Sequence, residues 1–159
     1  MEIKKAEQND LPDILKLQYL AYQSEAELLN NYDIPPLKQT LEEITAEFKN
    51  GIILKAVDES GNITGSVRGQ TKNGILYIGK LFVHPQKRGR GIGTKLLKEI
   101  EQSCPHKRCE LFTSSKSEKN LKLYLKSGYK IFDKKEINPK LTFIYLQKQE
   151  LASSNKKSR

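Results

Sequence analysis

The stretch that most constrains this chain runs from Ile75 to Glu101, ILYIGKLFVHPQKRGRGIGTKLLKEIE. Leu76, Ile78, Leu81, Phe82 and Val83 give a nearly continuous apolar run of strand length, with β-branched and aromatic members. Pro85 brings no N–H, so ladder pairing stops there. Arg88-Gly89-Arg90-Gly91-Ile92-Gly93 follows, after which Ile92, Leu96, Leu97 and Ile100 fall on one helical face. Glycines at alternate positions remove the Cβ atoms that would keep an anion from the backbone amides. Those amides sit where a helix begins, with unpaired N–H groups and the positive end of the helix dipole. Lys87, Arg88 and Arg90 add mobile positive charge. The residues read as a pyrophosphate cradle, against the plainer reading of a tight turn that needs glycine for its geometry alone. The Gly-Lys-Ser/Thr ending of a P-loop is missing. No strand with an acidic ribose-binding residue follows at the dinucleotide-fingerprint distance.

Around this stretch the hydrophobic period changes in an orderly way. Glu2–Ala6 reads as a strand. Asp10-Leu11-Pro12-Asp13 reads as a helix start, with Asp10 as N-cap and a helical period that continues to Asn30-Asn31. Tyr32–Pro36 reads as a rigid loop, and Thr40-Leu41-Glu42-Glu43 as a capping box whose helix ends at Asn50-Gly51. Ile52–Glu59, Ile63–Gln70 and Ile75–Val83 form a meander with turns at Ser60-Gly61-Asn62 and Asn73-Gly74. After the glycine-rich helix come a strand at Arg108–Thr113, a helix at Ser117–Ser127, and strands at Tyr129–Lys135 and Leu141–Lys148. Residues 1–149 read as a single domain, and 150–159 as a disordered polar tail. At 159 residues one domain is the economical division.

Arg88-x-x-Gly91-x-Gly93, preceded by Leu81-Phe82-Val83-His84-Pro85, resembles the pyrophosphate signature of the GCN5-related N-acetyltransferase (GNAT) superfamily, Arg/Gln-x-x-Gly-x-Gly/Ala. The element order β-α-α-β-β-β-α-β-α-β-β is similar to that family's. The resemblance is strongest over about residues 63–132. It implies an α/β (α+β) fold on a central mixed, mostly antiparallel sheet, splayed between the fourth and fifth strands, where acyl-CoA enters. The backbone of Leu81, Phe82 and Val83 would pair with the pantetheine arm and polarise the thioester carbonyl. The phosphates would lie on Arg88, Gly89, Arg90, Gly91, Ile92, Gly93 and Thr94. The implied co-substrate is acetyl-CoA, with no metal.

The helix Ser117-Glu118-Lys119-Asn120-Leu121-Lys122-Leu123-Tyr124-Leu125-Lys126-Ser127-Gly128-Tyr129 carries a second family pattern, a tyrosine four residues before a Gly-aromatic pair. The resemblance assigns Tyr124 to protonate the departing thiolate, a reasonable task for a phenol beside sulfur. Where many relatives carry a cofactor-contacting asparagine this chain has Ser117, and Asn120 one turn on is a substitute. The glutamate that relatives use as base on the fourth or fifth strand is replaced by Tyr77 or Phe112. Glu110 shares the face of Phe112 and is the carboxylate candidate, its other reading being a surface glutamate paired with a lysine.

Composition excludes some classes and leaves others open. There is no apolar run of about 18 residues and no signal-peptide pattern at MEIKKAEQND, which implies a cytoplasmic protein without a membrane partner. Cys104 and Cys109, separated by four residues that include a lone His106, do not build a zinc site, and neither has a nucleophile signature. His84 and His106 read as structural. The net charge of +9 attracts nucleic acid and anionic cofactors alike, and no nucleic-acid motif accompanies it. The expected function is transfer of an acetyl group from acetyl-CoA to a primary amine by direct attack, in a monomer or homodimer. The rivals are a non-catalytic acyl-CoA sensor and a basic nucleic-acid-binding module. Tyr22, Glu25 and Tyr32 fall where the family places acceptor specificity and suit a cationic small-molecule amine or a lysine, with a peptide or protein N-terminus also open.

Overall fold

Seven strands form one mixed sheet in the order β1-β2-β3-β4-β5-β7-β6. In this computed structural model residues 1–150 are described, and the proposed tail lies outside them except for Glu150, whose N–H donates to the Lys107 carbonyl at 3.1 Å. The strands are β1 (Glu2–Lys5), β2 (Ile52–Val57), β3 (Ile63–Lys72), β4 (Ile75–Val83), β5 (Arg108–Ser114), β6 (Lys130–Asn138) and β7 (Leu141–Gln149). All neighbouring pairs are antiparallel except β4 and β5, which run parallel. The β3–β4 hairpin turns on Asn73 and Gly74, both at positive φ (55° and 81°), as the twist of a two-residue turn demands.

Side chains alternate across the sheet, so adjacent residues feed different cores. Leu54, Val67, Leu76, Ile78, Leu111, Ile144 and Leu146 face α5 (Ile92–Ser103), whose Leu96, Leu97 and Ile100 are fully buried against them, and α6 (Glu118–Lys126). On the other face Ile53 and Phe82 pack beneath α1 (Leu11–Ala21) and α4 (Leu41–Asn50), through Leu11, Ile14, Leu15 and Ile44. Thr40 and Glu43 close the anticipated capping box on α4, with the Thr40 hydroxyl accepting from the Glu43 N–H at 3.1 Å and Glu43 from the Thr40 N–H at 2.9 Å. Among the described residues no helix is long and apolar enough to cross a membrane.

Three local features differ from the sequence expectation. The first long helix is broken at Tyr22 into α1 and α2 (Gln23–Leu29). The break coincides with a cap from outside: Arg88 Nη2 donates to the Ala21 carbonyl at 2.8 Å. Asp10 does not cap α1 with its side chain. Its carboxylate accepts from the Glu7 N–H at 2.8 Å and pairs with Lys55 Nζ at 2.8 Å. At the end of the expected loop and just beyond it, Pro35–Lys38 make a single helical turn, α3, started by proline's fixed φ.

The feature that opens the site is a bulge in β4. Pairing with β3 steps from Ser66↔Phe82 to Arg68↔Gly79, so β4 carries one extra residue there. Lys80 adopts φ 49° at that point. Beside it, Arg68 is buried under α1 and α4, where Nη1 donates to Gln39 Oε1 at 2.8 Å and Glu47 Oε1 at 2.6 Å, and Nη2 to Gln18 Oε1. Burial lowers the Arg68 pKa, and the Glu47 carboxylate opposes that shift.

Candidate active site

β4 and β5 are hydrogen-bonded only from Ile75↔Arg108 to Tyr77↔Glu110. Beyond that the bulged end of β4 leaves β5, and β5 continues with β7. A cleft of about 1120 Å³ opens at the parting, between the ends of the two strands, the α1–α2 corner and the starts of α5 and α6. A strand edge without a neighbour presents free N–H and C=O groups, which an extended amide chain can pair with.

One wall of the cleft is the beginning of α5. Gly91 is its N-cap at φ 80°, with no side chain capping the first turn and no acidic residue in it. The amides of Ile92, Gly93 and Thr94 therefore carry the exposed positive end of a twelve-residue helix. A Cβ built on Gly89 or Gly91 would meet nothing within 4 Å, so both glycines border open space and adopt φ near 80°. Lys87 lines the same wall. Donors, positive dipole and space together fit a diphosphate.

Most of the residues singled out from the sequence meet here. Leu81, Phe82, Val83, Arg88, Gly89 and Gly91 line the cleft, as do Ile92, Gly93, Thr94, Ser117 and Asn120, and the α1–α2 corner adds Tyr22 and Glu25. Arg90 is exposed and does not line it. Arg88 lies across the opening, with Nη1 donating to Ser24 Oγ at 3.0 Å in addition to its bond to Ala21. Asn120 is oriented by the end of β5, its Nδ2 donating to Thr113 Oγ1 at 3.4 Å.

Tyr124 does not line the cleft; it is 6% exposed on α6, its ring tilted against Tyr129 at 6.0 Å between centroids. Its hydroxyl has no hydrogen-bond partner among the described residues. Burial raises its pKa, and the nearby Tyr22 phenol and Glu25 carboxylate raise it further. Tyr22, set edge-on to Phe82 at 5.9 Å, is pushed up by burial and by Glu25, against the pull of Arg68. Both phenols thus stay protonated through the neutral range.

Two further sequence candidates stand outside the cleft. Glu110 lies level with Tyr77, where β4 and β5 still pair, and is bound to Arg108 Nη2 at 2.6 Å; it does not line the cleft. Tyr32 is 58% exposed and also outside it. Two contacts had no local signal: the capping of α1 by Arg88, and a bond of 2.5 Å from Ser117 Oγ to Glu25 Oε1 that ties α6 to α2. Arg68 did have one, as a lone cation inside an otherwise small and apolar strand segment. His84 caps its own turn, Nδ1 accepting from the Gln86 N–H at 3.1 Å, and among the described residues no three potential ligands stand together to hold a metal.

Comparison with known proteins adds the following. Residues 11–129 match the family described as "Acetyltransferase (GNAT) family". No curated protein matches this chain. Among solved structures, the ribosomal-protein-alanine N-acetyltransferase from Brucella melitensis superposes with a TM-score of 0.75 at 18% identity, covering 94% of this chain and 100% of that one. PaiA N-acetyltransferase from Thermoplasma acidophilum, in complex with coenzyme A, gives 0.77 at 16% identity over 94% and 98% of the chains. The phosphinothricin acetyltransferase from Sinorhizobium meliloti, in complex with acetyl-CoA, gives 0.74 at 17% over 93% and 87%.

Proposed function

This chain belongs to the GNAT family of acetyltransferases, whose pattern it matches over residues 11–129, and from that premise we propose that it transfers the acetyl group of acetyl-CoA to a primary amine. Its co-substrate is acetyl-CoA. The observation that carries the reading is the uncapped start of α5 opening into the cleft at the point where β4 and β5 part.

On this reading the diphosphate lies on the amides that follow Gly89, and Lys87 adds charge. The pantetheine amides extend the free edge of β4, where the backbone N–H groups of Leu81, Phe82 and Val83 polarise the thioester carbonyl. A neutral amine attacks the carbonyl carbon, the C–N bond forms and the C–S bond breaks. Tyr124, held protonated by burial, donates to the leaving sulfur. The route uses no covalent enzyme intermediate: neither Cys104 nor Cys109 lines the cleft, and burial pushes the Cys109 thiol up to about 12.

The test is two measurements on one preparation: the melting temperature against acetyl-CoA concentration, and thiol release across a panel of primary alkylamines, polyamines and short peptides. Both should be positive. Stabilisation without thiol release would support an acyl-CoA sensor instead. No stabilisation, with tight and salt-resistant DNA binding, would support a nucleic-acid module.

A further inference from the structure

We propose that Glu25 is the base that takes the proton from the acceptor ammonium, and that Ser117 positions it. This deepens the acetyltransferase reading and rests on it. Glu25 sits in the first turn of α2 and lines the cleft. Its Oε1 accepts from the Ser117 hydroxyl at 2.5 Å, and Ser117 is only 5% exposed. Oε2 has no partner among the described residues, and Glu25 makes no ion pair there. The carboxylate is thus fixed through one oxygen while the other stays free to accept a proton. The turn that carries it is pinned on the opposite side as well, by Arg88 on Ser24 and Ala21.

The competing carboxylates are less suited. Glu110 is bound to Arg108 outside the cleft. Glu118 lines the cleft but is exposed at the start of α6, with no side-chain hydrogen bond among the described residues to fix it. Glu25 instead acts electrostatically on two phenols, Tyr22, which lines the cleft, and Tyr124, which does not, raising both. It therefore lies near the group assigned to the leaving sulfur. The charged and titratable groups around it are Tyr22 on its own corner, Arg88 and Lys87 from the glycine-rich turn, and Tyr124, Lys116, Glu118 and Lys119 from the α6 side.

The proton balance closes. Glu25 removes one proton from the ammonium and later returns it to solvent. The neutral amine attacks, Tyr124 gives its proton to the thiolate, and the second nitrogen-bound proton restores the phenol as the amide forms. The acceptor class that follows is an alkyl amine protonated at neutral pH, which needs a base and is drawn to an anion.

The experiment measures kcat/KM for thiol release across about pH 6 to 10, using the best amine of the panel, for wild type, Glu25→Gln and Ser117→Ala. Glutamine still accepts from Ser117, so the acetyl-CoA thermal shift should match wild type. At neutral pH Glu25→Gln should lose about 10²–10³-fold. That loss should shrink tenfold per pH unit toward the amine's own pKa, as solution supplies neutral amine. Ser117→Ala keeps the carboxylate but releases it from its fixed position, so kcat should fall with little change in KM, and Ser117→Thr, which keeps the hydroxyl, should recover it. A Glu25→Gln profile equal to wild type would overturn the assignment. So would a loss by one factor at every pH, which would make Glu25 a binding group only. Wild-type protein that releases no thiol with any amine would overturn the acetyltransferase reading, and this inference with it.

Discussion

Arg88 Nη2 donates to the Ala21 carbonyl at 2.8 Å, joining the glycine-rich turn to the end of a helix 67 residues away in sequence. One guanidinium therefore caps α1, holds Ser24 and borders the diphosphate wall. Arg88→Ala should destabilise the cofactor-free protein by about 0.5–1.5 kcal/mol for the bond to Ala21, seen as a lower melting temperature, and also weaken acetyl-CoA binding. Arg90, exposed and outside the cleft, has no such structural contact. Arg90→Ala should leave the cofactor-free melting temperature unchanged and affect acetyl-CoA only at low salt. Equal melting temperatures for the two variants would refute the capping role.

Tyr124 and Tyr129 are both buried tyrosines whose hydroxyls do different things. The Tyr129 hydroxyl donates to Glu101 Oε2 at 2.6 Å, while Lys148 holds Oε1 at 3.0 Å. Tyr129→Phe should cost about 1.5–3 kcal/mol, the worth of a hydrogen bond to a charged group. Tyr124→Phe removes an unbonded hydroxyl, so stability should stay within about 0.5 kcal/mol. Turnover should fall about 10²–10⁴-fold. Because its pKa is raised, Tyr124 should contribute no limb to the pH–rate profile in the neutral range. Denaturant melts and steady-state thiol release on both variants check the contrast.

Elements with a local cause were readable from the sequence. The Asn73-Gly74 turn, the Thr40–Glu43 capping box, the apolar stripe of α5 and the glycine after α6 each follow from backbone or capping chemistry within a few residues. Features set by distant partners were not. The break at Tyr22 coincides with the Arg88 contact to Ala21, and nothing in Ala21-Tyr22-Gln23 disfavours helix. The placement of Glu110 shows the same limit. It does alternate onto the face of Phe112, but β5 remains paired with β4 at its level, so that face is not yet the cleft. The parting of the strands depends on the bulge at Lys80, which adds one residue to an otherwise regular run.

Gly61 and Gly91 form a matched pair for testing the diphosphate wall. Their φ values are 84° and 80°, and an added Cβ on either meets nothing within 4 Å. Gly61 lies in the β2–β3 turn, whereas Gly91 lines the cleft. Gly61→Ala and Gly91→Ala should each cost about 1–2 kcal/mol in the cofactor-free protein, the penalty of the left-handed region for an L residue. Acetyl-CoA at about 100 times its Kd should restore roughly 2.7 kcal/mol to wild type and to Gly61→Ala. Gly91→Ala should lose much of that gain. Equal acetyl-CoA shifts in the two variants would remove the α5 start as the anion site.

Cys109 makes the stability of the fold depend on alkaline pH. It is 1% exposed, with Sγ 3.2 Å from His106 Nε2, and burial, aided by the Glu101 carboxylate, pushes its pKa up to about 12. In the unfolded chain a cysteine titrates near about 8.5. Between those values the unfolded state releases a proton that the folded state keeps, so stability falls as pH rises. The full contribution is present below about 8.5, and the loss from this group approaches about 1.4 kcal/mol per pH unit above it. Tyr129, raised by burial and by its bond to Glu101, acts in the same direction at higher pH. Cys109→Ala should therefore start less stable, because it loses buried volume, yet decline less steeply between about pH 8.5 and 10. Urea unfolding of both proteins at half-unit intervals measures the two slopes. Parallel slopes would mean that the folded state does not hold the Cys109 proton more tightly than the unfolded chain.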